Sequence, residues 1–327
     1  MQEMMKNRAK ALLADGTVNR VIGWRRGEFS YDITPAVFET AEEIERDFVW
    51  DAFCGANVSK YLIRDSAKGQ EAGRILAFLK PCDAFSFNQL LAEHRVRREN
   101  VYLIGIPCAG KADIDKIKKA GIDGVTGIAE DGEDFVVQSI YGDERVKQAD
   151  VLAERCLACK SKRHPVYDEL LGDEGEDLPD DVRFAGVMKL EAMTAEERFA
   201  FWRGELSKCI RCNACRNVCP ACTCENCVFD NPDSGISQKA AADPFEENMY
   251  HIIRAFHVAG RCTDCGECSR VCPEHIPLHL LNRKFIKDID ELYGAYRAGD
   301  DDETKNPLTS FTEGDAEASV VRERGRA

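Results

Sequence analysis

The sequence predicts an α/β domain with a partly parallel sheet, followed by a mainly helical domain. Buried apolar runs that each lead into a turn and a helical pattern predict the first domain, and helical periodicity around repeated cysteine motifs predicts the second. An acidic stretch with Gly and Pro at 172–181 has no periodicity, which predicts an exposed linker. We therefore expect domains at 1–180 and 181–298. Residues 299–327 are acidic and polar, which predicts a disordered tail.

The elements of the first domain follow from the periodicity of its apolar residues. A charged amphipathic helix is predicted over 4–14 and a strand over 18–24. The apolar runs 74–79 and 101–106 are each followed by a turn and then by a helical pattern, as is typical of buried parallel strands. Pro81 marks the first of these turns.

Three later segments also have a clear pattern. Alternating apolar and polar residues over 134–141 predict a small hairpin or an edge strand. Helical patterns run over 194–202, into the first cysteine motif, and over 244–258, between the two motifs. The second domain is therefore predicted to be built mainly from helices.

The composition excludes several classes of function. A net charge of −14 argues against a nucleic-acid partner, which would require a basic face. The first residues lack the apolar core of a secretory signal, and no stretch has the roughly 20 apolar residues that cross a bilayer. We therefore expect a cytoplasmic chain without direct membrane insertion. Sixteen cysteines in a reducing compartment indicate metal or redox chemistry rather than disulfides.

Two copies of one cysteine motif stand in the second half of the chain. The first copy is Cys209, Cys212, Cys215 and Cys219, the second is Cys262, Cys265, Cys268 and Cys272, and a proline follows each copy. This is the spacing of bacterial two-cluster ferredoxins, in which three close thiolates bind one [4Fe-4S] cluster and the fourth binds the other cluster. We expect cluster 1 on Cys209, Cys212, Cys215 and Cys272, and cluster 2 on Cys262, Cys265, Cys268 and Cys219.

A pair of structural zinc sites is the alternative reading of these motifs, because zinc also uses Cys-x-x-Cys pairs. Zinc requires four thiolates in total and has no use for the repeated Cys-Pro, so the spacing favours clusters. A cluster on four thiolates leaves no open position for a substrate. The expected role is therefore one-electron transfer.

The insert between the motifs is long and contains the helix predicted over 244–258. In this respect the region resembles the α-helical ferredoxin of heterodisulfide reductase and of succinate dehydrogenase iron–sulfur subunits. His251 and His257 lie on this helix. A histidine in such a position is more often packed or exposed than a ligand, so neither is assigned a role.

Several local matches, in the right order, resemble the coenzyme F420 hydrogenase/dehydrogenase β-subunit family. They are Ala11-Leu-Leu-Ala-Asp-Gly16-Thr-Val-Asn-Arg-Val-Ile22, Ser59-Lys60-Tyr61, Lys80-Pro-Cys82-Asp83, Ile106-Pro-Cys108-Ala-Gly110, Cys156-Leu-Ala-Cys159 and Asp168-Glu-Leu-Leu-Gly172. The resemblance covers roughly residues 8–172 and implies an α/β iron–sulfur domain. The longer C-terminal portion of the family domain has no counterpart here.

The resemblance implies a third [4Fe-4S] cluster near a flavin. The cluster would be held by Cys82, Cys108, Cys156 and Cys159, and the segment Ser59, Lys60 and Tyr61 would contact FAD. Adjacent strand ends and one Cys-x-x-Cys can also converge on one crevice of an open sheet. The alternative is that the strand-end cysteines are buried small apolar residues. No Gly-x-Gly-x-x-Gly follows a strand, so a Rossmann-type dinucleotide site is not predicted.

Four cysteines remain when twelve have been assigned: Cys54, Cys222, Cys224 and Cys227. The last three form a Cys-x-Cys-x-x-Cys run, which can supply three ligands to one metal site, with Cys54 as a fourth. The alternatives are a fourth cluster, a structural zinc site, or free packed thiols.

The predicted function is electron transfer between partner subunits of a cytoplasmic oxidoreductase complex. By resemblance these partners are of the hydrogenase, formate dehydrogenase or heterodisulfide reductase type. Two alternatives remain: an enzyme whose own flavin acts on the deazaflavin F420 or on a nicotinamide, and a structural metal protein without redox function.

Overall fold

The protein is represented by a computed structural model that describes residues 1–66, 73–231 and 244–310. The chain divides after Leu178 into two compact units, and this point lies within the acidic stretch at 172–181. The first unit combines a mixed sheet with helices, and the second unit is helical in its described part. The predicted fold class is confirmed.

A mixed sheet of five strands forms the centre of the first unit in the described residues, with the order β2-β1-β3-β4-β8. The strands are β1 (Arg20–Arg26), β2 (Ile33–Phe38), β3 (Ile75–Leu79), β4 (Val101–Gly105) and β8 (Glu169–Leu170). β2 runs antiparallel to β1, while β1, β3, β4 and β8 are mutually parallel. Every side chain of β3 is buried, as expected for a central parallel strand covered on both faces. The two predicted parallel strands are confirmed.

The described part of the first unit also contains helices. They are α1 (Gln2–Ala14), α2 (Ala41–Asp47), α3 (Ser59–Ser66), α4 (Pro81–Ala92), α5 (Ile114–Lys119), α6 (Gln148–Val151) and α7 (Glu154–Leu157). Of these, α2, α3 and α4 contact the five-stranded sheet. α4 begins at Pro81, where the sequence predicted only a turn. Proline fits the first position of a helix because its fixed φ is already helical and its missing N–H would have no partner there. The carboxylate of Asp83 accepts a hydrogen bond from Lys80 N at 3.1 Å, which caps the helix.

A second, antiparallel sheet of the first unit contains β5 (Val125–Asp131), β6 (Asp134–Ser139) and β7 (Gly142–Lys147) in that order. The alternation over 134–141 predicted β6 but not its two neighbours. All but one of the side chains of β7 are exposed. A strand without a buried face lacks the alternation on which the prediction depends.

The second unit contains α8 (Asp180–Glu191), α9 (Ala195–Leu206), α10 (Ala214–Asn217), α11 (Pro244–Val258), α12 (Glu267–Arg270) and α13 (Leu278–Tyr293). The helix predicted over 244–258 matches α11, and the one predicted over 194–202 is α9. Thr194 caps α9: its Oγ1 accepts from Glu197 N at 3.2 Å, and the Glu197 carboxylate accepts from Thr194 N at 2.9 Å.

The apolar clusters of the second unit are small and include cysteines. Leu206, Tyr250, Ile276 and Leu278 pack with Cys215 and Cys268 in one of them. A small apolar core is typical of domains whose folding is coupled to metal binding.

The predicted disordered tail lies largely outside the described residues, which end at Ser310. Its described part, 299–310, ends in a turn in which Ser310 N donates to Asn306 O at 2.9 Å. No helix in the described ranges is long and apolar enough to cross a membrane.

Candidate metal centres

The four cysteines of the predicted third site lie in the first unit, two of them just after strands and two of them in or just after a short helix. Cys82 follows β3 and Cys108 follows β4. Because these strands are adjacent and parallel, both cysteines lie at the same end of the sheet. Cys82 is in the first turn of α4. Cys156 lies in α7, and Cys159 follows that helix directly.

Lys162 interacts electrostatically with all four of these thiols. Burial alone would lower the pKa of the Lys162 ammonium, but the thiolates raise it above its usual value. The contributing groups, largest first, are Cys159, Cys108, Cys156 and Cys82. Lys162 Nζ also donates to Cys108 O at 3.0 Å. All four thiols therefore act on the charge of one ammonium group, and its nitrogen contacts the backbone of one of them.

Two further cations surround Cys82. Burial raises the pKa of its thiol well above the usual value, the Asp83 carboxylate adds to this shift, and the Lys80 and Arg155 cations oppose it. Lys80 is buried, with Nζ 2.8 Å from Asp83 Oδ2, and Arg155 donates to Gly55 O at 2.7 Å. A cluster on four thiolates is an anion, so a sulfur donor set enclosed by buried cations fits a [4Fe-4S] cluster.

This arrangement gives a direct test of the third site. We expect Cys108→Ser to lower the iron content of the anaerobically prepared full chain by about four atoms, because a hydroxyl is a poor substitute for a thiolate ligand of iron. The matched control is Ala109→Ser, which introduces the same side chain one residue further on and should leave iron and sulfide unchanged. A folded Cys108→Ser protein with the iron content of the unmodified chain would exclude Cys108 as a ligand.

Cys54, assigned by the sequence to a fourth site, lies in the apolar core of the first unit. Its sulfur accepts a hydrogen bond from Asp51 N at 3.3 Å, and burial raises the pKa of the thiol to about 12. Its role as a ligand remains a prediction.

The predicted flavin segment begins α3. Ser59 is buried, and its Oγ donates to Asp83 O at 2.6 Å, beside Cys82. Lys60 is half-buried and Tyr61 is exposed. The segment thus adjoins the helix that carries a ligand of the third site, while FAD binding remains a prediction.

The two ferredoxin motifs fold into similar loops. Arg211 and Asn213 in the first loop have φ of 54° and 60°, and Asp264 and Gly266, at the corresponding positions of the second, have 59° and 66°. Each loop then enters a one-turn helix, α10 or α12. Left-handed residues at the same two positions bend both backbones in the same way, so that three thiols of each loop can face one cluster.

A small cavity, the predicted site of cluster 1, lies between the two cysteine loops. All four cysteines predicted for cluster 1 line it: Cys209, Cys212 and Cys215 from the first motif and Cys272 from the second. The last cysteine of the second motif therefore crosses to the first. Burial raises the pKa of the Cys215 thiol, and Cys272 and Cys212 add to this shift.

Cys219, predicted to be a ligand of cluster 2, belongs to a small apolar cluster against which Cys262 of the second motif packs. Burial raises the pKa of the Cys262 thiol to about 12, with further contributions from Asp264 and then Cys219. Cys219 contributes in the same direction to the raised pKa values of Cys265 and Cys268. Cys219 therefore interacts electrostatically with all three cysteines predicted to share cluster 2 with it.

Arg254 of α11 lies close to thiols of both sites. Burial alone would lower the pKa of this guanidinium, but it is raised by the thiols of Cys219, Cys268, Cys215 and Cys222. The side chain is 3% exposed, and one of its nitrogens donates to Cys215 O at 3.1 Å. This buried cation compensates negative charge at both sites.

His251 was assigned no role from the sequence, yet it lines the cavity of cluster 1. Its ligand atoms, those of Cys209 and those of Glu247 lie within 4.8 Å of one another. Burial, then Arg254 and Arg211, lowers the pKa of His251 to about 3, so the ring is neutral. Glu247, His251 and Arg254 are spaced at i, i+4 and i+7, which places them on one face of α11. That spacing was the signal available in the sequence.

The remaining cysteine run is only partly buried. Cys222 lies near Arg254, Cys224 is exposed, and Cys227 accepts a hydrogen bond from Arg216. A tetrahedral zinc site with bonds of ~2.3 Å would place its sulfurs about 3.8 Å apart. Within the described ranges, no set that includes these three cysteines has its sulfurs within 4.8 Å of one another. A preformed zinc site is therefore not seen in this part of the chain.

Comparison with known proteins agrees with the cysteine geometry. Residues 205–276 match the family model of the 4Fe-4S dicluster domain. Together with the sulfur donor sets, this defines the chain as an iron–sulfur electron-transfer protein that carries [4Fe-4S] clusters.

Two known proteins are similar to this chain along most of its length. The F420-dependent formate dehydrogenase subunit beta of Methanocaldococcus jannaschii is 24% identical over 347 residues, which cover 86% of this chain and 88% of that protein. The F420-dependent formate dehydrogenase 1 subunit beta of Methanococcus maripaludis is 26% identical over 366 residues, which cover 91% of each. A chain of the F420-reducing [NiFe] hydrogenase complex from Methanosarcina barkeri is 14% identical, with a TM-score of 0.40, over 48% of this chain and 58% of that chain.

Proposed function

We propose that this chain is the electron-transferring subunit of an F420-dependent formate dehydrogenase. It would pass electrons between a subunit that oxidises formate and the site at which F420 is reduced. The observation that carries the proposal is the set of four cysteines, from both ferredoxin motifs, that line one cavity. The chain that contains them aligns along most of its length with the beta subunits of two F420-dependent formate dehydrogenases. Sixteen free thiols also favour a reducing compartment, the cytoplasm.

The proposed reaction balances as two half-reactions. Formate becomes carbon dioxide, one proton and two electrons, and oxidised F420 takes up two electrons and two protons. Clusters on four thiolates carry one electron at a time, so the two electrons would pass in sequence. The residues of this chain hold the clusters, exclude water from Cys215, Cys219 and Cys268, and supply the compensating cations Lys162 and Arg254.

The proposal is tested on the anaerobically purified chain mixed with a formate-oxidising partner subunit. Formate should bleach the broad visible absorption of the clusters, and the bleaching should require the partner. A folded chain that contains iron and sulfide but is not reduced under these conditions would contradict the proposed place in the reaction. A folded chain without iron would contradict the clusters themselves.

A second candidate function is suggested by the position of Ser59. Because Ser59 Oγ donates to Asp83 O, next to Cys82, a flavin held at the start of α3 would lie beside the third site. The chain itself would then reduce F420. Flavin released on denaturation, in a ratio of about one per chain, would favour this function, and its absence would favour the pure electron carrier.

The total metal content of the protein depends on whether the four cysteines outside clusters 1 to 3 bind metal. If Cys54, Cys222, Cys224 and Cys227 bind a fourth cluster, the protein should contain about sixteen irons, whereas a zinc site would give about twelve irons and one zinc. Metal analysis of the anaerobically purified chain distinguishes these outcomes. Cys54→Ser should lower the metal content only if Cys54 is a ligand. Twelve irons without zinc would exclude both kinds of site.

A further inference from the structure

His251 is a buried side chain whose ring nitrogens form no hydrogen bond with any residue that the structure describes. The residue is 1% exposed. A buried N–H without an acceptor destabilises a fold, so such a group calls for an explanation. The ring lies in the wall of the cavity that the four cysteines of cluster 1 also line.

Two polar side chains near His251 form hydrogen bonds with other residues. Tyr250 Oη donates to Asn213 Oδ1 at 3.1 Å, and Glu247 Oε2 accepts from Arg211 Nε at 2.6 Å. Tyr250 packs edge-on against the His251 ring, with 5.0 Å between the ring centroids, which fixes the orientation of the imidazole. The acceptors nearest to the His251 ring are the sulfur of Cys209 and the carboxylate of Glu247, whose Oε1 has no hydrogen-bond partner among the described residues. Because the ring also lines the cavity with the four cysteines of cluster 1, an N–H that points into this cavity meets the cluster site.

At the predicted site of cluster 2, a side-chain N–H already donates a hydrogen bond to a cysteine sulfur. Asn282 of α13 is buried, and its Nδ2 donates to Cys268 Sγ at 3.7 Å. A buried side-chain N–H directed at a ligand sulfur is therefore already present at one of the two sites. Hydrogen bonds to cluster sulfurs raise the reduction potential, because they stabilise the more negative, reduced cluster.

We propose that His251 donates a hydrogen bond from its ring N–H to a sulfur of cluster 1, and that this bond raises the reduction potential of that cluster. The inference rests on the proposed function, because it requires a cluster on Cys209, Cys212, Cys215 and Cys272. His251 is in this role a positioning and tuning residue, and it is not an iron ligand.

The test compares His251→Leu with His257→Leu, which makes the same change on an exposed position of the same helix. In a redox titration followed by EPR, His251→Leu should lower the reduction potential of one cluster. We expect at least a tenfold change in the equilibrium constant for its reduction, which is about 59 mV for one electron. Iron and sulfide contents should stay unchanged. His257→Leu should leave the reduction potential of every cluster unchanged. His251→Gln retains an N–H, so its reduction potential should lie between those of His251→Leu and the unmodified protein.

Two results would overturn the proposal while leaving the proposed function intact. One is an unchanged set of potentials in a His251→Leu protein with full iron content. The other is loss of iron or conversion of the cluster, which would make His251 a ligand. If His251→Leu does not fold, pulsed EPR of the intact protein labelled with ¹⁵N-histidine decides: a weak ¹⁵N coupling to the reduced cluster supports the hydrogen bond. No coupling, or one as strong as a directly bonded nitrogen, contradicts it.

Discussion

Replacing Cys212 or Cys265 with alanine is expected to remove about four irons from the protein, or to convert one cluster to a form with fewer irons. Each substitution deletes one of the four thiolates that a cubane requires. Cys212 lines the cavity of cluster 1, while Cys265 interacts electrostatically with Cys219. Iron and sulfide analysis with EPR of the reduced protein would measure the loss. Ile210→Ala, at a position 61% exposed in the first loop, is the matched control.

Double variants test how the two motifs share their cysteines. If Cys272 crosses to cluster 1, the pair Cys212→Ala and Cys272→Ala should lose no more iron than either single variant, because both remove the same cluster. The pair Cys212→Ala and Cys219→Ala should lose both clusters, about eight irons. The opposite pattern, with Cys212 and Cys219 acting on one cluster, would show that each motif binds its own metal.

The cysteine sites could be predicted in large part because their information is local. Three thiols within seven residues, followed by a fourth and a proline, permit few kinds of metal site, so the spacing alone assigned eight ligands. The third site needed long-range structure: Cys82 and Cys108 meet because β3 and β4 are adjacent and parallel, and this was inferred from two apolar runs and a family resemblance. The structure shows the adjacent parallel strands that this inference required, while the third cluster itself remains a prediction.

What the sequence did not predict depends on which way a side chain faces. His251 and His257 are six residues apart on one helix, yet the first is buried at the cavity and the second is exposed. The sequence does not show which residues a histidine in a helix will contact. Only the position of α11 in the fold distinguishes the two histidines. The same holds for Asp264, which the motif treats as a spacer between two cysteines but which the fold uses as the centre of a buried ion network.

Asp264→Ala is expected to lower the free energy of unfolding by about 3–5 kcal/mol, because it leaves two buried guanidiniums without their counter-charge. Asp264 accepts from Arg183 Nε of α8 at 3.0 Å and from Arg283 Nε of α13 at 2.9 Å, and all three side chains are 2% exposed. Burial alone would raise the pKa of Asp264, but Arg283 and then Arg183 hold it below its usual value. Urea unfolding of the anaerobic full chain would measure the change.

The control for this change is Asp302→Ala, which removes an exposed carboxylate and should alter stability by less than about 0.5 kcal/mol. Because Asp264 stands between Cys262 and Cys265, its loss should also loosen the second loop and lower the occupancy of cluster 2, leaving cluster 1 in place. Replacing Arg183 and Arg283 with Met in the Asp264→Ala background should restore much of the stability, since apolar side chains can take the place of a buried ion network. An Asp264→Ala protein as stable as the unmodified chain would show that these three charges do not hold α8 and α13 to the cluster loop.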